Sequence, residues 1–254
     1  MMRFDARGFR LPKRGNADDE CEDALAFDER RAVFAVADGA TESSFSALWS
    51  DILTKSFIAA PPGRRRCRGL NAWLAPLLQR WREQIPWERL AWFAEEKARE
   101  GAFSTFLGLA FGRTPKGEWR WRAMAIGDCC LFQVRGAELV QAYPVERAAE
   151  FGNTPRLLPS LPEKAARALE HVLRRSGPCQ ANDTFFLATD ALAQWCLQSV
   201  EAGCPPWPLL QCIADPEEFR RRVDELRASR EMRNDDVSLL VVELHDGLAP
   251  AIRL

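Results

Sequence analysis

The clearest pattern in the chain is a set of short apolar runs, each of which adjoins an acidic residue. Three of these runs are residues 31–37 (RAVFAVA), 183–189 (DTFFLAT) and 236–244 (DVSLLVVEL). Continuous runs of this length, rich in apolar and β-branched residues, are typical of buried strands. We therefore predict a buried strand at each run, followed or preceded by a carboxylate.

Helical spacing of apolar residues predicts the remaining elements around a block of strands. Helices are expected at residues 43–58, at 69–100 as two helices or one kinked helix, and at 163–175, 191–202, 207–213 and 216–231. Residues 103–142 alternate strand patterns with Gly and Pro signals, which favours an antiparallel meander. Residues 143–162 are proline-rich and irregular, and the basic residues 64–68 are expected to form a loop. No element is assigned to residues 1–14.

Strands grouped together, with helices before and after them, favour an α+β fold over strict βαβ alternation. Two antiparallel sheets with helices outside them are compatible with this order. At 254 residues the chain is long enough for a substantial core, and we expect a single domain over residues 1–254.

Charge and cysteine usage narrow the functional classes. With 35 basic and 36 acidic residues, no global field directs the protein toward nucleic acid or an anionic membrane. Residues 1–14 lack the apolar core of a signal peptide, and no later run approaches the length of a membrane span, so we expect a cytoplasmic protein. The eight cysteines include no CxxC pair, and His171 and His245 have no zinc-site spacing.

Carboxylates at strand ends are the strongest chemical signal in the sequence. Asp38, Asp128, Asp190 and Asp235 each stand where a predicted strand begins or ends. A rigid strand holds an oxygen ligand in place while the adjoining loop stays open, and converging carboxylates need cations to offset their repulsion. Oxygen ligands suit Mg²⁺ or Mn²⁺, whereas zinc more often recruits His or Cys.

These residues also occur in a familiar order. The short motifs are Glu22-Asp23-Ala24, Ala37-Asp38-Gly39, Ser104-Thr105, Gly127-Asp128, Thr189-Asp190 and Asp235-Asp236-Val237-Ser238. In sequence and rough spacing the set resembles the PP2C (PPM) family of metal-dependent serine/threonine phosphatases, bacterial type, from about Glu22 to Leu244. The resemblance implies an αββα sandwich and two Mn²⁺ or Mg²⁺ ions.

The resemblance also implies a role for each acid. Asp38 would bridge the two metals, and Asp190 and Asp235 would complete one of them. Glu22 and the Gly39 carbonyl would serve the other metal, directly or through water. Asp23 would hold metal-bound water, which with Asp38 and Asp190 makes the implied catalytic set. Asp128 matches the place of a third, weaker metal in many members.

Two departures from the family pattern concern phosphate chemistry. Some members have a histidine directly after Asp-Gly that suits protonation of the leaving group, and here that residue is Ala40. Members also tend to place a phosphate-binding arginine just before the Glu-Asp pair. Arg14 is the candidate for phosphate binding here, with Arg7 and Arg10 as rivals.

Other functions fit the residues less well. A haloacid-dehalogenase-like phosphatase needs a second acid at the position of Ala40, and GxxxxGK, GxSxG and HExxH motifs are absent. We expect a phosphorylated protein as substrate and a cognate Ser/Thr kinase as a partner. The alternative is a catalytically weak relative of the fold that binds a phosphoprotein or a kinase.

Overall fold

The computed structural model describes residues 2–62, 66–152 and 154–247, with the backbone alone at 66–68. In chain order the strands and helices are β1 (Met2–Leu11), β2 (Ala24–Asp28), β3 (Val33–Gly39), α1 (Ser46–Ala59), α2 (Arg66–Gln84), α3 (Trp92–Arg99), β4 (Phe103–Arg113), β5 (Trp119–Ile126), β6 (Cys130–Arg135), β7 (Glu138–Tyr143), β8 (Leu158–Pro159), α4 (Pro162–Ala168), β9 (Leu173–Pro178), β10 (Asp183–Ala188), α5 (Asp190–Glu201), α6 (Trp207–Cys212), α7 (Pro216–Ala228) and β11 (Val237–Asp246). Short 3-10 helices occupy Asp18–Glu20, Trp87–Arg89, Ala148–Glu150 and Leu169–His171.

The strands form two antiparallel sheets. Sheet 1 has the order β1-β11-β10-β6-β7, and sheet 2 has the order β2-β3-β4-β5-β9, with β8 paired to β4. The first and last strands of the chain are neighbours in sheet 1, where Phe4 pairs with Leu244 and Leu11 with Val237.

Three apolar layers separate the sheets and helices. Between the sheets, Phe34 and Leu107 of sheet 2 meet Phe185 and Leu240 of sheet 1. The outer face of sheet 1 packs against α5, α6 and α7, and the outer face of sheet 2 packs against α1, α2 and α4. The order is therefore helix, sheet, sheet, helix, and the predicted αββα sandwich is confirmed.

Burial on both faces explains the continuous apolar runs. In β11, Leu239 and Val241 face the helices of sheet 1, whereas Leu240 and Val242 face sheet 2. Successive side chains of a strand point to opposite faces, so a strand covered on both sides needs apolar residues at every position. The same reasoning applies to β3.

Several predicted boundaries are wrong. Residues 1–14 include β1, and the helix predicted over 163–175 ends at Ala168, after which Leu173–Pro178 forms the edge strand β9. The meander is two hairpins: β4 and β5 belong to sheet 2, β6 and β7 to sheet 1, and the chain crosses between sheets at residues 127–129. The loop at 64–68 is helical from Arg66, while Arg64 and Arg65 lie outside the described residues.

No helix within residues 2–62, 66–152 and 154–247 is long and apolar enough to cross a bilayer.

Candidate metal centre

Strand ends from both sheets bring the predicted acids to one edge of the sandwich. Asp38 is the penultimate residue of β3, where it pairs with Thr105 of β4. Asp128 lies in the crossing between β5 and β6, Asp190 begins α5 directly after β10, and Asp235 precedes β11. Because β10 and β11 are antiparallel neighbours, the end of one adjoins the start of the other.

Asp38 lies where the acids act on each other most strongly. Burial raises the pKa of the Asp38 carboxyl well above its ordinary value, and the charges of Asp23, Asp235 and Asp128 raise it further. The opposing influence is the positive charge of Arg233. Desolvation and like charges both disfavour the ionised form, so the free energy of this cluster falls when a cation arrives.

Two neighbouring aspartates are perturbed in the same direction. Burial, followed by the charges of Asp236 and Asp235, raises the pKa of Asp23 to about 7, although the Ser238 and Thr189 side chains oppose the rise as hydrogen-bond donors. Burial raises the pKa of Asp128 to about 6, with a smaller contribution from Asp235. Clefts that perturb several carboxyls together are candidate functional sites.

Three carboxylate oxygens in this region are buried and have no hydrogen-bond partner. They are Oδ1 of Asp23, Oδ1 of Asp128 and Oδ1 of Asp190. Leaving a buried polar atom without a partner costs free energy, and structures normally avoid it. Unpaired oxygens of three predicted metal-site acids therefore point to a ligand.

Asp23 is held by a two-step hydrogen-bond relay. The Ser238 backbone N–H donates to Thr189 Oγ1 at 2.8 Å, and the Thr189 hydroxyl donates to Asp23 Oδ2 at 2.9 Å. All three residues are buried. The relay fixes one oxygen of Asp23 and leaves the other available.

Asp236 fastens the segment that follows β1 to the start of β11. Its Oδ1 accepts from the Lys13 backbone N–H and its Oδ2 accepts from the Glu22 backbone N–H, both at 2.7 Å. The side chain is 5% exposed. Both oxygens are therefore committed to backbone donors, whereas Asp235 accepts one backbone N–H, from Asp236, and pairs its other oxygen with Arg233.

Glu22 and Gly39 lie against each other. A Cβ on Gly39 would be 2.7 Å from the Glu22 carbonyl oxygen, so only glycine allows this approach. The Ser46 hydroxyl donates to Glu22 Oε1, and Lys13 Nζ lies 3.9 Å from Glu22 Oε2. Lys13 Nζ is also 3.4 Å from Thr41 Oγ1, just beyond the Asp38-Gly39 turn.

Arg233 contacts two of the predicted ligands. Its Nη2 donates to Asp190 Oδ2, and its Nε lies 3.3 Å from Asp235 Oδ2. Asp190 is nearly buried, whereas Asp235 is 39% exposed. One guanidinium thus joins the start of α5 to the loop before β11.

The arginines proposed for phosphate binding have other partners. Arg14 Nη2 lies 3.4 Å from Asp224 of α7, and Arg7 donates to Glu243 at 2.9 Å. Arg10 donates to the Asp23 carbonyl oxygen at 2.9 Å.

A cavity of about 430 Å³ adjoins Asp128. Residues of the irregular segment predicted at 143–162, among them Val145 and Arg156, line it together with His171. Two cavities of about 570 Å³, one beside β4, β5 and β9 and one beside α2 and α4, are lined by none of these acids. The carboxylates mark the site because perturbed, unpaired polar atoms converge there.

The acidic residues of this centre can be tested for whether they suit a metal ion. Within the part of the chain that the structure describes, no three His, Cys, Asp or Glu side chains form a ready-made ion site. Arg233 contacts Asp190 and Asp235, so one oxygen of each is already paired with a cation. The unpaired oxygens and the raised pKa values of Asp23, Asp38 and Asp128 nevertheless suit a hard divalent cation. Burial keeps the pKa of the nearby Cys129 thiol well above its ordinary value, so it is neutral and a poor ligand.

Comparison with known proteins decides the family. The model of the protein phosphatase 2C family matches residues 13–236, which is most of the chain. The chain belongs to the protein phosphatase 2C family. A search of curated proteins by sequence found no match.

Solved structures share this fold, two of the following three being structures of phosphatases. The catalytic domain of the serine/threonine phosphatase PstP in complex with two manganese ions is 19% identical, with 97% of this chain and 100% of that chain covered and a TM-score of 0.59. PppA, described as a key regulatory component of T6SS in Pseudomonas aeruginosa, is 16% identical, with 96% and 100% covered and a TM-score of 0.57. The PPM phosphatase MsPP from Mycobacterium smegmatis in complex with cacodylate is 17% identical, with 94% and 97% covered and a TM-score of 0.52.

Within this fold, the structure groups Asp23, Asp38, Asp128 and Asp235 through their mutual electrostatics. Asp190 is connected to Asp235 because both contact Arg233. Gly39 directly follows Asp38 and lies against the Glu22 backbone. The role of each residue, including the third metal at Asp128 and phosphate binding by Arg14, stays a prediction.

Sequence reasoning missed four residues around this centre: Lys13, Thr189 as a hydrogen-bond relay, Arg233 and Asp236 as a backbone acceptor. Thr189 and Asp236 were visible as neighbours of predicted ligands. Lys13 and Arg233 gave no signal, because isolated basic residues in polar segments are ordinary.

Proposed function

We propose that this protein hydrolyses phosphoserine or phosphothreonine on a protein substrate with water activated by two Mn²⁺ or Mg²⁺ ions. The observation that supports the proposal is the group of buried aspartates with raised pKa values and unpaired oxygens at one edge of the sandwich. Structural relatives that are phosphatases, one of them with two manganese ions, add support.

Each residue has a proposed task. Asp38, Asp190 and Asp235, together with Glu22 and the Gly39 carbonyl, would hold the two ions. When bound, such ions lower the pKa of a water molecule and offset the negative charge of the phosphoryl group. No cysteine, serine or histidine nucleophile is then required.

Asp23 has the proposed task of orienting the attacking water. The relay from Ser238 and Thr189 occupies Oδ2 and leaves the buried Oδ1 as the acceptor for that water. Asp128 contributes a further carboxylate beside the 430 Å³ cavity, where the segment over 143–177 would contact the protein substrate. The expected partners are a phosphoprotein and its cognate Ser/Thr kinase.

Phosphate binding and protonation of the leaving group are two further tasks of the proposed reaction. Arg14 is the proposed phosphate ligand and would have to exchange its contact with Asp224 for the substrate. Lys13 lies closer to the acids, beside Glu22 and Thr41. Ala40 provides no proton, so the leaving group would take its proton from water.

A regulatory function without efficient catalysis is the second candidate. It is favoured by the Arg233 contacts with Asp190 and Asp235 and by Ala40. Such a protein would bind a phosphoprotein or kinase and release little phosphate.

The deciding experiment measures phosphate release from a phosphothreonine peptide with Mn²⁺, with Mg²⁺ and with chelator. We expect metal-dependent release that Asp38→Ala and Asp190→Ala each reduce by at least about 100-fold, because each removes a ligand. Asp246→Ala, at an exposed aspartate, is the matched control and should keep wild-type activity. A wild-type protein that is inactive with both metals would sink the hydrolase proposal and favour the regulatory one.

A further inference from the structure

Arg233 lies in the loop between α7 and β11 and pairs with two acids from different elements. Its Nη2 contacts Asp190 at the start of α5, and its Nε is 3.3 Å from Asp235 in its own loop. A planar guanidinium is suited to such two-sided contact with carboxylates. The pairing joins two acids to which the proposed function assigns the same ion.

Arg233 brings a positive charge between two carboxylates from different elements. It therefore does in the metal-free protein part of what a divalent cation would do, which is to offset the negative charge of these acids.

The guanidinium and a metal ion would compete for the same two carboxylates. Arg233 uses Oδ2 of Asp190 and Oδ2 of Asp235, Asp235 Oδ1 accepts from the Asp236 backbone N–H, and Asp190 Oδ1 is left without a partner. An ion bound to these carboxylates would bring its own positive charge against the guanidinium, and in a partly buried site this repulsion is weakly screened. Simultaneous occupancy is therefore unfavourable.

The structure also offers the side chain another position. Arg233 is 37% exposed and lines a cavity of about 510 Å³ together with Gln194, Asn234 and Glu231. Glu231 provides a carboxylate there, although Arg227 and Arg230 line the same cavity and oppose the approach of a further cation. The loop is held on both sides of Arg233, by hydrogen bonds from Met232 to Leu226 and between Asn234 and Arg14, so the change of position would be one of the Arg233 side chain.

We infer that Arg233 is an internal counter-cation, which clamps Asp190 and Asp235 together in the metal-free protein and must leave both when a divalent ion binds. The inference rests on the proposed metal centre. Metal loading is then a competition, and Arg233 sets the ion concentration at which the site fills. The clamp also protects the metal-free fold from repulsion among its acids.

The test compares the wild type with Arg233→Gln, Arg233→Lys and the control Arg221→Gln. Arg221 is an exposed arginine of α7 that pairs with Glu225 at 3.0 Å, so its replacement changes net charge equally but touches no predicted ligand. Mn²⁺ affinity is measured by titration calorimetry, and the melting temperature is measured in chelator and in saturating Mn²⁺.

For Arg233→Gln we expect about tenfold tighter Mn²⁺ binding, which corresponds to about 1.4 kcal/mol. Its melting temperature should fall in chelator but not in Mn²⁺, so the increase on metal addition becomes larger. Arg233→Lys keeps the positive charge but cannot contact two carboxylates at once as the guanidinium does. Its Mn²⁺ affinity should therefore lie between that of the wild type and that of Arg233→Gln. Arg221→Gln should match the wild type.

Three results would overturn the inference. Equal or weaker Mn²⁺ binding by Arg233→Gln would exclude competition. An equal loss of melting temperature with and without Mn²⁺ would show a merely structural arginine. Wild-type affinity in Arg233→Lys, with tighter binding in Arg233→Gln, would show that charge alone matters and that there is no clamp. If neither the wild type nor any variant binds Mn²⁺, the proposed metal centre itself fails, which is a distinct pattern.

Discussion

Replacement of Asp23 by Asn should remove a large pH dependence from the stability of the metal-free protein. Asp23 is 1% exposed, and its environment raises its pKa to about 7. Because an unfolded aspartate has a pKa near about 3.9, the ionised side chain destabilises the fold by on the order of 4 kcal/mol.

The sign follows from the higher pKa in the folded state. The contribution of Asp23 to stability is fully present below about pH 4 and is lost as the pH rises through about 7. For these two pKa values, about 2.6 kcal/mol of the loss falls between pH 5 and pH 8. The amide side chain of the Asp23→Asn variant has no proton to lose, so this part of the slope disappears.

Urea unfolding in chelator at pH 5 and pH 8, followed by tryptophan fluorescence, measures the effect. We expect the Asp23→Asn protein to gain about 2 to 3 kcal/mol relative to wild type between pH 5 and pH 8. Asp246→Asn, at an exposed aspartate, should follow the wild-type profile. Parallel profiles for the wild type and Asp23→Asn would refute the reasoning, because Asp23 would then titrate normally in the fold.

Four further substitutions test the packing and hydrogen bonds of the fold around the site by urea unfolding in chelator. Gly39→Ala should cost about 1 to 3 kcal/mol, because the new Cβ would be 2.7 Å from a backbone oxygen; an unchanged midpoint would contradict the close approach. Asp236→Ala should cost about 2 to 5 kcal/mol of unfolding free energy, because the backbone N–H groups of Lys13 and Glu22 lose their acceptor. Asp235→Ala should cost less than about 1 kcal/mol, because Asp235 is more exposed and its partners can reach water. Equal losses in the two variants would contradict the role of Asp236 as a buried backbone acceptor. Leu240→Ala should cost about 2 to 5 kcal/mol, since the fully buried side chain fills the layer between the sheets, and a loss below about 1 would contradict that position.

The three strands that were predicted as buried are covered on both faces. The runs at 31–37, 183–189 and 236–244 are continuous in apolar residues because helices cover one face and the opposite sheet covers the other. Carboxylates interrupt these runs only at their ends, so the predicted acids could be placed at strand ends as well.

The elements that were missed lie at the edges of the sheets. In β9, residues Leu173 to Ser176 are exposed, so the strand has no apolar alternation and its arginines resemble those of a helix. In β1 the apolar residues are separated by charged ones, because only one of its sides has a strand neighbour. Exposed edge strands take their conformation from pairing, which a local pattern does not encode.

The sequence allowed the acidic residues of the candidate site to be predicted, but not its basic residues. Aspartates at strand ends stand out against apolar neighbours, whereas Arg233 is one of several arginines in a polar stretch. Its importance depends on a contact with Asp190, 43 residues away along the chain. Such a pairing becomes visible only when the loop before β11 is placed beside α5.

The contact between the two ends of the fold has a consequence for how the protein is made. The Lys13 backbone N–H donates to Asp236, 223 positions later, and β1 pairs along its whole length with β11. Closing so long a loop is entropically costly and slows folding. On the ribosome, the first strand must wait unpaired until the last one has emerged, and the acids of the site cannot assemble before then. A nascent or prematurely terminated chain is therefore expected to be inert, so any activity would begin only after synthesis has passed β11.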